Sequence, residues 1–351
     1  MGVVWEASDA RTGARVALKH LKPSLGRDRE SVERLRTEAE IPMLLDHPRI
    51  VRVLALGFPP EHDQPFFVME LLRGRTLDLQ IRRGGPLPVA DALEIAVQAL
   101  DGLAAAHRAG VVHRDVKLGN LFVCEPGEGS PSVKLIDFGI AKLLGPESAA
   151  LGLTPHSFRT REGEYLGTTR YAAPEQVSGM PVDPRADIYA MGVVLYTLLA
   201  GSHPFGDLQG LELIRAHIGK MPDPPSRNAR SPVPPELDEL VMTALAKKPE
   251  QRLASAEQFA SALRDVAERL QAPAGWLKTH WFQFEDLDET PADEEAPHAA
   301  HREPPRRPPR ARIEPQPRAA APRSRIGPVA GLILTATLAA LLVLLLSRAW
   351  G

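Results

Sequence analysis

The chain has 351 residues, 44% hydrophobic, 25% charged and only 5% aromatic, with a formal net charge of −2. That composition excludes collagen, a disulfide scaffold and wholesale disorder, and the charge balance gives no global reason to expect a nucleic-acid partner. A single cysteine, Cys124, cannot close an internal disulfide, so no oxidising compartment is implied.

From the N-terminus, residues 2–7 and 15–19 read as two strands around a polar turn at 9–13, a hairpin pattern. Residues 31–45 carry helical spacing, and 66–69 form a short apolar strand. Beyond Gly74 the pattern turns helical, with Leu93, Val97, Leu100 and Ala104 on one face of a helix running to about Arg108. Residues 111–112 and 133–136 are brief strands. Residues 186–200 are apolar on nearly every side, as in a buried helix, and Gly201 stops them. A small strand-rich front and a large helical back is the expected architecture, of α+β class.

Composition then shifts twice. Residues 1–272 read as one globular domain, with a front lobe over 1–70 and a back lobe over 75–272. Residues 273–327 hold seven acids between Glu285 and Glu295, then eight arginines between Arg302 and Arg325, with ten prolines between Pro291 and Pro328. Proline removes amide donors and little here can be buried, so the expectation is an extended, disordered linker. No charge occurs over 326–347. Those residues would span about 33 Å as a helix, enough for a hydrocarbon core. The expected transmembrane helix covers 328–347. Arginines crowd its N-terminal flank and only Arg348 follows, which orients the globular domain to the cytoplasm as a single-pass protein of the cell membrane.

The chemistry sits in an ordered set of short motifs. Val16, Ala17, Leu18 and Lys19 lie on a predicted strand. His113, Arg114, Asp115, Val116, Lys117, Leu118, Gly119 and Asn120 lie between two strands. Asp137, Phe138 and Gly139 end the next strand, and Ala173, Pro174 and Glu175 follow a long loop. In this order and context the set resembles the protein-kinase signature, and most closely the bacterial Hanks-type (eukaryotic-like) serine/threonine kinases, over about residues 1–270. The resemblance implies a bilobal protein-kinase fold and a non-specific serine/threonine protein kinase. Its γ-phosphate donor would be ATP, its metal Mg²⁺ with Mn²⁺ as a substitute, and its acceptors proteins with Ser or Thr. A homodimer is compatible with it.

By match to the family motifs, Lys19 holds the α- and β-phosphates and Glu38 is its partner. Glu40 is the competitor, but Glu38 takes the family's place before the Leu44–Pro48 stretch. Asp115 is the catalytic base, Lys117 neutralises the transferring phosphate, and Asn120 and Asp137 are hard oxygen ligands for Mg²⁺. Lysine at 117 is the serine/threonine rather than the tyrosine pattern. Ala17 and Met69 line the adenine site, with Met69 as gatekeeper, and the backbone of Glu70 and Leu72 meets the adenine edge. His113 is expected to pack and hydrogen-bond rather than do acid–base work. Glu175 with Arg252, and Asp187 beneath the catalytic loop, are expected to be structural. Arg114 is expected to dock a phosphorylated activation loop, whose hydroxyls include Ser148, Thr154, Ser157, Thr160, Thr168 and Thr169.

One motif is incomplete. Gly2 and Val4 match only the last glycine and the valine of the family's glycine-rich loop. The other two glycines and the first strand would then lie upstream of Met1. A pseudokinase acting as a scaffold is the competing reading on that account.

Overall fold

The computed structural model describes residues 2–22, 28–57, 65–125, 132–138, 142–143 and 169–270. The expected linker, the 328–347 span, Gly139 and the activation-loop hydroxyls other than Thr169 lie outside the described residues. The chain divides into a unit Met1–Leu287, which holds all the described residues, and a second, Asp288–Gly351.

The front lobe is a sheet with one helix. Strands β1 (Gly2–Ser8) and β2 (Arg15–Leu21) form the expected hairpin. Its turn is closed by Asp9, whose carboxylate accepts the Arg11 amide at 2.8 Å, and by Gly13 at φ 71°. Helix α1 (Arg29–Met43) begins where Asp28 caps the Ser31 amide at 3.1 Å. Strands β3 (Val53–Gly57) and β4 (Phe66–Glu70) complete an antiparallel sheet of order β1-β2-β4-β3. Leu21, Leu35, Ala39, Val53 and Phe67 form the core between α1 and the sheet. β3 escapes the sequence pattern because Leu54 and Ala55 face solvent in succession, at an irregular register between Val53 and Ala55.

Residues 49–51 reach across to the back lobe. The Val51 amide donates to the Leu135 carbonyl at 2.9 Å, and the Leu135 amide to the Arg49 carbonyl at 2.8 Å. After β4 the chain forms β5 (Gly74–Thr76) before α2 (Leu77–Gly84), where helix alone was expected. Gly74 at φ 139° lets its backbone lie against Val123, where a Cβ would sit 2.0 Å from the carbonyl oxygen. β5 thereby joins β7 (Leu121–Cys124) and β8 (Ser132–Leu135) in a three-stranded sheet.

Helix α3 (Val89–Arg108) and helix α5 (Arg185–Ala200) are the spine of the back lobe. α5 buries every residue from Ala186 to Ala200, and Gly201 ends it in left-handed backbone at φ 72°. Each fully buried Leu or Ile of this spine contributes about 1.5–3 kcal/mol. The short α4 (Pro174–Val177) precedes α5, and α6 (Gly210–Gly219), α7 (Pro235–Ala244) and α8 (Ala256–Leu270) pack around it. α7 approaches α5 at Gly192, where a Cβ would lie 2.9 Å from that of Ala244. Among the described residues no helix is long and apolar enough to cross a membrane.

Candidate active site

Strand β2 aims Lys19 off the sheet toward α1, where its ammonium is paired with the Glu38 carboxylate. Glu40, two positions on, is instead bonded to Arg36 at 2.6 Å. Lys19 Nζ also lies 3.9 Å from Asp137 Oδ2, so three charges from β2, α1 and the end of β8 meet at one place. Gly2 stands over them. It pairs with Leu21, and a Cβ there would lie 2.8 Å from the His20 carbonyl oxygen and 3.3 Å from Lys19 Cε. A side chain at that position would crowd the lysine stem. Val4 is directly across the hairpin from Lys19 and is half exposed. Ala17 is buried and opposes Met69 on β4.

The electrostatics of this triad are tense. Burial drives Glu38 up, the Asp137 carboxylate adds to it, and together they outweigh the pull of Lys19, leaving its pKa at about 7. Burial opposes the charge of Lys19, but the two carboxylates prevail and hold it above its ordinary value. Lys19 is therefore a fixed cation, and Glu38 is the member whose charge is negotiable.

Met69 and Glu70 end β4, and Leu72 follows in the connection to the back lobe. The Glu70 amide donates to the Arg52 carbonyl at 3.0 Å. Its carboxylate accepts from the Arg52 amide at 2.7 Å and from Lys134 Nζ at 2.8 Å. Lys134, which no motif singles out, thus ties the connection to β8.

The second group is the loop after β6 (Val111–Val112), which pairs with β9 (Lys142–Leu143). Asp115 Oδ2 accepts Lys117 Nζ at 2.6 Å and Asn120 Nδ2 at 3.0 Å, and Asn120 Nδ2 also donates to the Asp115 carbonyl at 2.8 Å. Both amide hydrogens of Asn120 are thus spent on Asp115, which fixes the direction of its amide oxygen. The Asn120 carbonyl accepts the Ile136 amide at 3.0 Å, and so places this loop beside Asp137. Arg114 and Asp137 are the two non-glycine residues with left-handed backbone among those described, at φ 65° and 64°. Such strain persists only where the surroundings over-determine it.

Those surroundings centre on Asp187, in the first turn of α5. It accepts the His113 amide at 2.9 Å, the Arg114 amide at 2.8 Å and His107 Nε2 at 2.8 Å. Burial pushes its pKa up, but the His107 hydrogen bond and the neighbouring imidazoles and amides outweigh it and hold it below 3.8. His113 is fully buried and packs on Phe138, ring centroids 4.5 Å apart. Gln176 donates to the Arg114 carbonyl at 3.0 Å. His107 and Gln176 carry no signal in the sequence, because each acts on a residue distant along the chain. Glu175 and Arg252 form a buried two-pronged pair, both contacts at 2.7 Å.

Asn120 and Asp137 supply one amide and one carboxylate oxygen at adjoining places. Hard oxygen donors of this kind suit Mg²⁺, which keeps most of its remaining ligands from phosphate and water. Asn120 and Asp137, with Lys19 held by Glu38, therefore fit a metal–phosphate group, and Asp115 and Lys117 fit an acceptor hydroxyl.

Comparison with known proteins agrees with this geometry. Residues 1–263 match the protein kinase domain family. The chain is 39% identical over 269 residues to serine/threonine-protein kinase PknA of Mycobacterium tuberculosis, covering 76% of this chain and 58% of PknA. It is 38% identical over 275 residues to Pkn1 of Myxococcus xanthus, covering 78% and 38%. The chain thus spans about half the length of these relatives. A mutant PknI kinase domain from Mycobacterium tuberculosis superposes with a TM-score of 0.55 at 28% identity, over 76% of this chain and 91% of that one.

Proposed function

The chain belongs to the protein kinase family, and from that premise we propose that it transfers the γ-phosphate of ATP to Ser or Thr hydroxyls of proteins. The observation that carries the reading is the pairing of two charged groups across the lobes, Lys19–Glu38–Asp137 and Asp115–Lys117–Asn120. Asp115 accepts the proton of the acceptor hydroxyl as its oxygen bonds to phosphorus and the bond to the β-phosphate oxygen breaks. Lys117 offsets charge on the transferring group, and Lys19 aligns the α- and β-phosphates. Asn120 and Asp137 hold Mg²⁺, which supplies charge neutralisation on the phosphates. Ala17 and Met69 enclose the adenine, whose edge meets the backbone of Glu70 and Leu72. Gly2 and Val4 lie over the phosphates.

Regulation and tethering belong to the same proposal. Arg114 has a buried guanidinium nitrogen, Nε, with no partner among the described residues. A phosphate on Thr154, Ser157 or Thr160 would satisfy it. The apolar stretch 328–347 would anchor the kinase domain to the inner face of the cell membrane. Protease added to intact cells should then leave the domain whole, and deleting 326–351 should release it to the soluble fraction.

The test of the central reading is the purified full chain with labelled ATP, Mg²⁺ and a generic protein acceptor. Label on Ser or Thr, absent from Asp115→Asn, is the expected result. ATP binding with no transfer would favour the scaffold reading instead.

A further inference from the structure

We infer that His203 and Lys247 are positioning residues that hold the wall against which a protein acceptor is presented; this deepens the phosphotransferase reading and rests on it. The wall is the loop 169–173, fastened on one side to the catalytic loop. Tyr171 packs, partly buried, against the back-lobe core that includes Leu118, which lies between Lys117 and Asn120. Gln176 accepts the Ala173 amide at 3.0 Å while donating to the Arg114 carbonyl. Through Gln176 the loop is joined to Arg114, the residue next to Asp115, which places it beside the approach to that carboxylate.

From the other side a buried side chain holds the loop. His203, 4% exposed in the turn after α5, lies with Nε2 2.7 Å from the Arg170 carbonyl oxygen. A carbonyl only accepts, so Nε2 carries the hydrogen. Nδ1 in turn accepts the Phe205 amide at 3.2 Å. The ring is thereby fixed as one neutral tautomer with both nitrogens engaged. Burial keeps it so, driving its pKa down to about 4.

Behind His203 lies a layer of rings closed by a cation. Phe205 and His217 are edge-to-face at 5.0 Å, and the Tyr189 hydroxyl meets His217 Nδ1 at 2.8 Å. Lys247 Nζ is 4.8 Å from the Phe205 ring centroid and 3.4 Å from both the Tyr189 hydroxyl and the Ala216 carbonyl. It pins Phe205, whose amide orients His203, whose N–H holds Arg170. None of these groups reaches toward the nucleotide-side triad, so the linkage acts on the protein acceptor and leaves ATP alone.

The experiment compares the full chain with His203→Phe, His203→Gln and Lys247→Met, measuring KM for a generic protein acceptor, KM for ATP, and ATP hydrolysis without acceptor. His203→Phe keeps a ring and loses both hydrogen bonds, of which the one to the Arg170 carbonyl holds the loop, so the acceptor KM should rise about five-fold. ATP KM and acceptor-free hydrolysis should stay within about two-fold. Glutamine, which can still donate to the Arg170 carbonyl, should restore most of the acceptor KM. Lys247→Met should shift it in the same direction by less, and it carries the test should the Phe variant not fold. A parallel fall in every parameter, or an unchanged acceptor KM, would overturn the inference while the wild type remains active. A wild type that labels no protein at all would overturn the phosphotransferase reading as well.

Discussion

The two lobes fix their charges by opposite means. In the front lobe Lys19 is steered by one carboxylate whose own ionisation is contested, over a core of five buried apolar side chains among the described residues. In the back lobe Asp115 is steered by a loop whose amides end on Asp187, a carboxylate at 1% exposure with three donors, set in a core that runs through α3, α5, α7 and α8. On the proposed function the first arrangement would be redrawn when a nucleotide arrives, because a cation held at Asp137 would offset one of the causes that raise Glu38. The second cannot be redrawn without exposing buried amides. On the proposed roles, the side that would receive the proton is rigid and the side that would receive the phosphates is adjustable.

The largest expected effect tests the rigid side. Asp115→Asn should lower phosphotransfer by about 10³-fold, the scale of a lost general base, with the thermal midpoint little changed. Activity within ten-fold of wild type in a filter assay would remove Asp115 from its role. Next comes Asp187→Ala, which strands the His113 and Arg114 amides and should destabilise the fold by about 3–5 kcal/mol in urea unfolding. A loss below about 1 kcal/mol would mean that the loop is braced elsewhere. Glu38→Gln sharpens the contrast: affinity for ATP should fall about ten-fold by calorimetry, near 1.4 kcal/mol, while urea stability moves less than in Asp187→Ala.

The pH dependence is the most diagnostic test, since the two carboxylates respond to pH with opposite signs. Asp187 has a folded pKa below 3.8, so its stabilisation is present above that value and is lost on acidification. Glu38 has a folded pKa of about 7 against 4.5 unfolded, so its contribution is complete below 4.5 and is lost as pH rises toward 7. The stability of the wild type relative to Glu38→Gln should therefore fall from pH 4.5 to 7. A flat difference across that window would show Glu38 to be ionised throughout.

Much of this was legible in the residues themselves. The hairpin of β1 and β2 and the buried α5 follow from turn chemistry and apolar periodicity, and the catalytic-loop residues from their resemblance to the kinase motif. The choice of Glu38 over Glu40 came from the motif, and the helix places Glu40 beside Arg36 instead. What stayed hidden depends on contacts between distant segments. β3 lacks alternation, β5 exists only because Gly74 lets two backbones touch, and His107 gains its meaning from Asp187, 80 positions away. The outward-facing Leu54 and the buried His203 likewise carry no local signal of where they lie.

The Glu175–Arg252 pair has a consequence for time rather than for equilibrium. Its partners are 77 positions apart, and the guanidinium also donates to the carbonyls of Ala246, Lys247 and Arg185. A contact closing so long a loop forms after the local helices, late on the folding route. Interactions absent from the transition state act on the rate of leaving the native state. Arg252 then works as a latch: replacing it with methionine should raise the unfolding rate in stopped-flow denaturant jumps and leave refolding nearly as fast as before. The lifetime of the folded kinase domain is in that sense set by a pair that takes no part in the proposed transfer of phosphate.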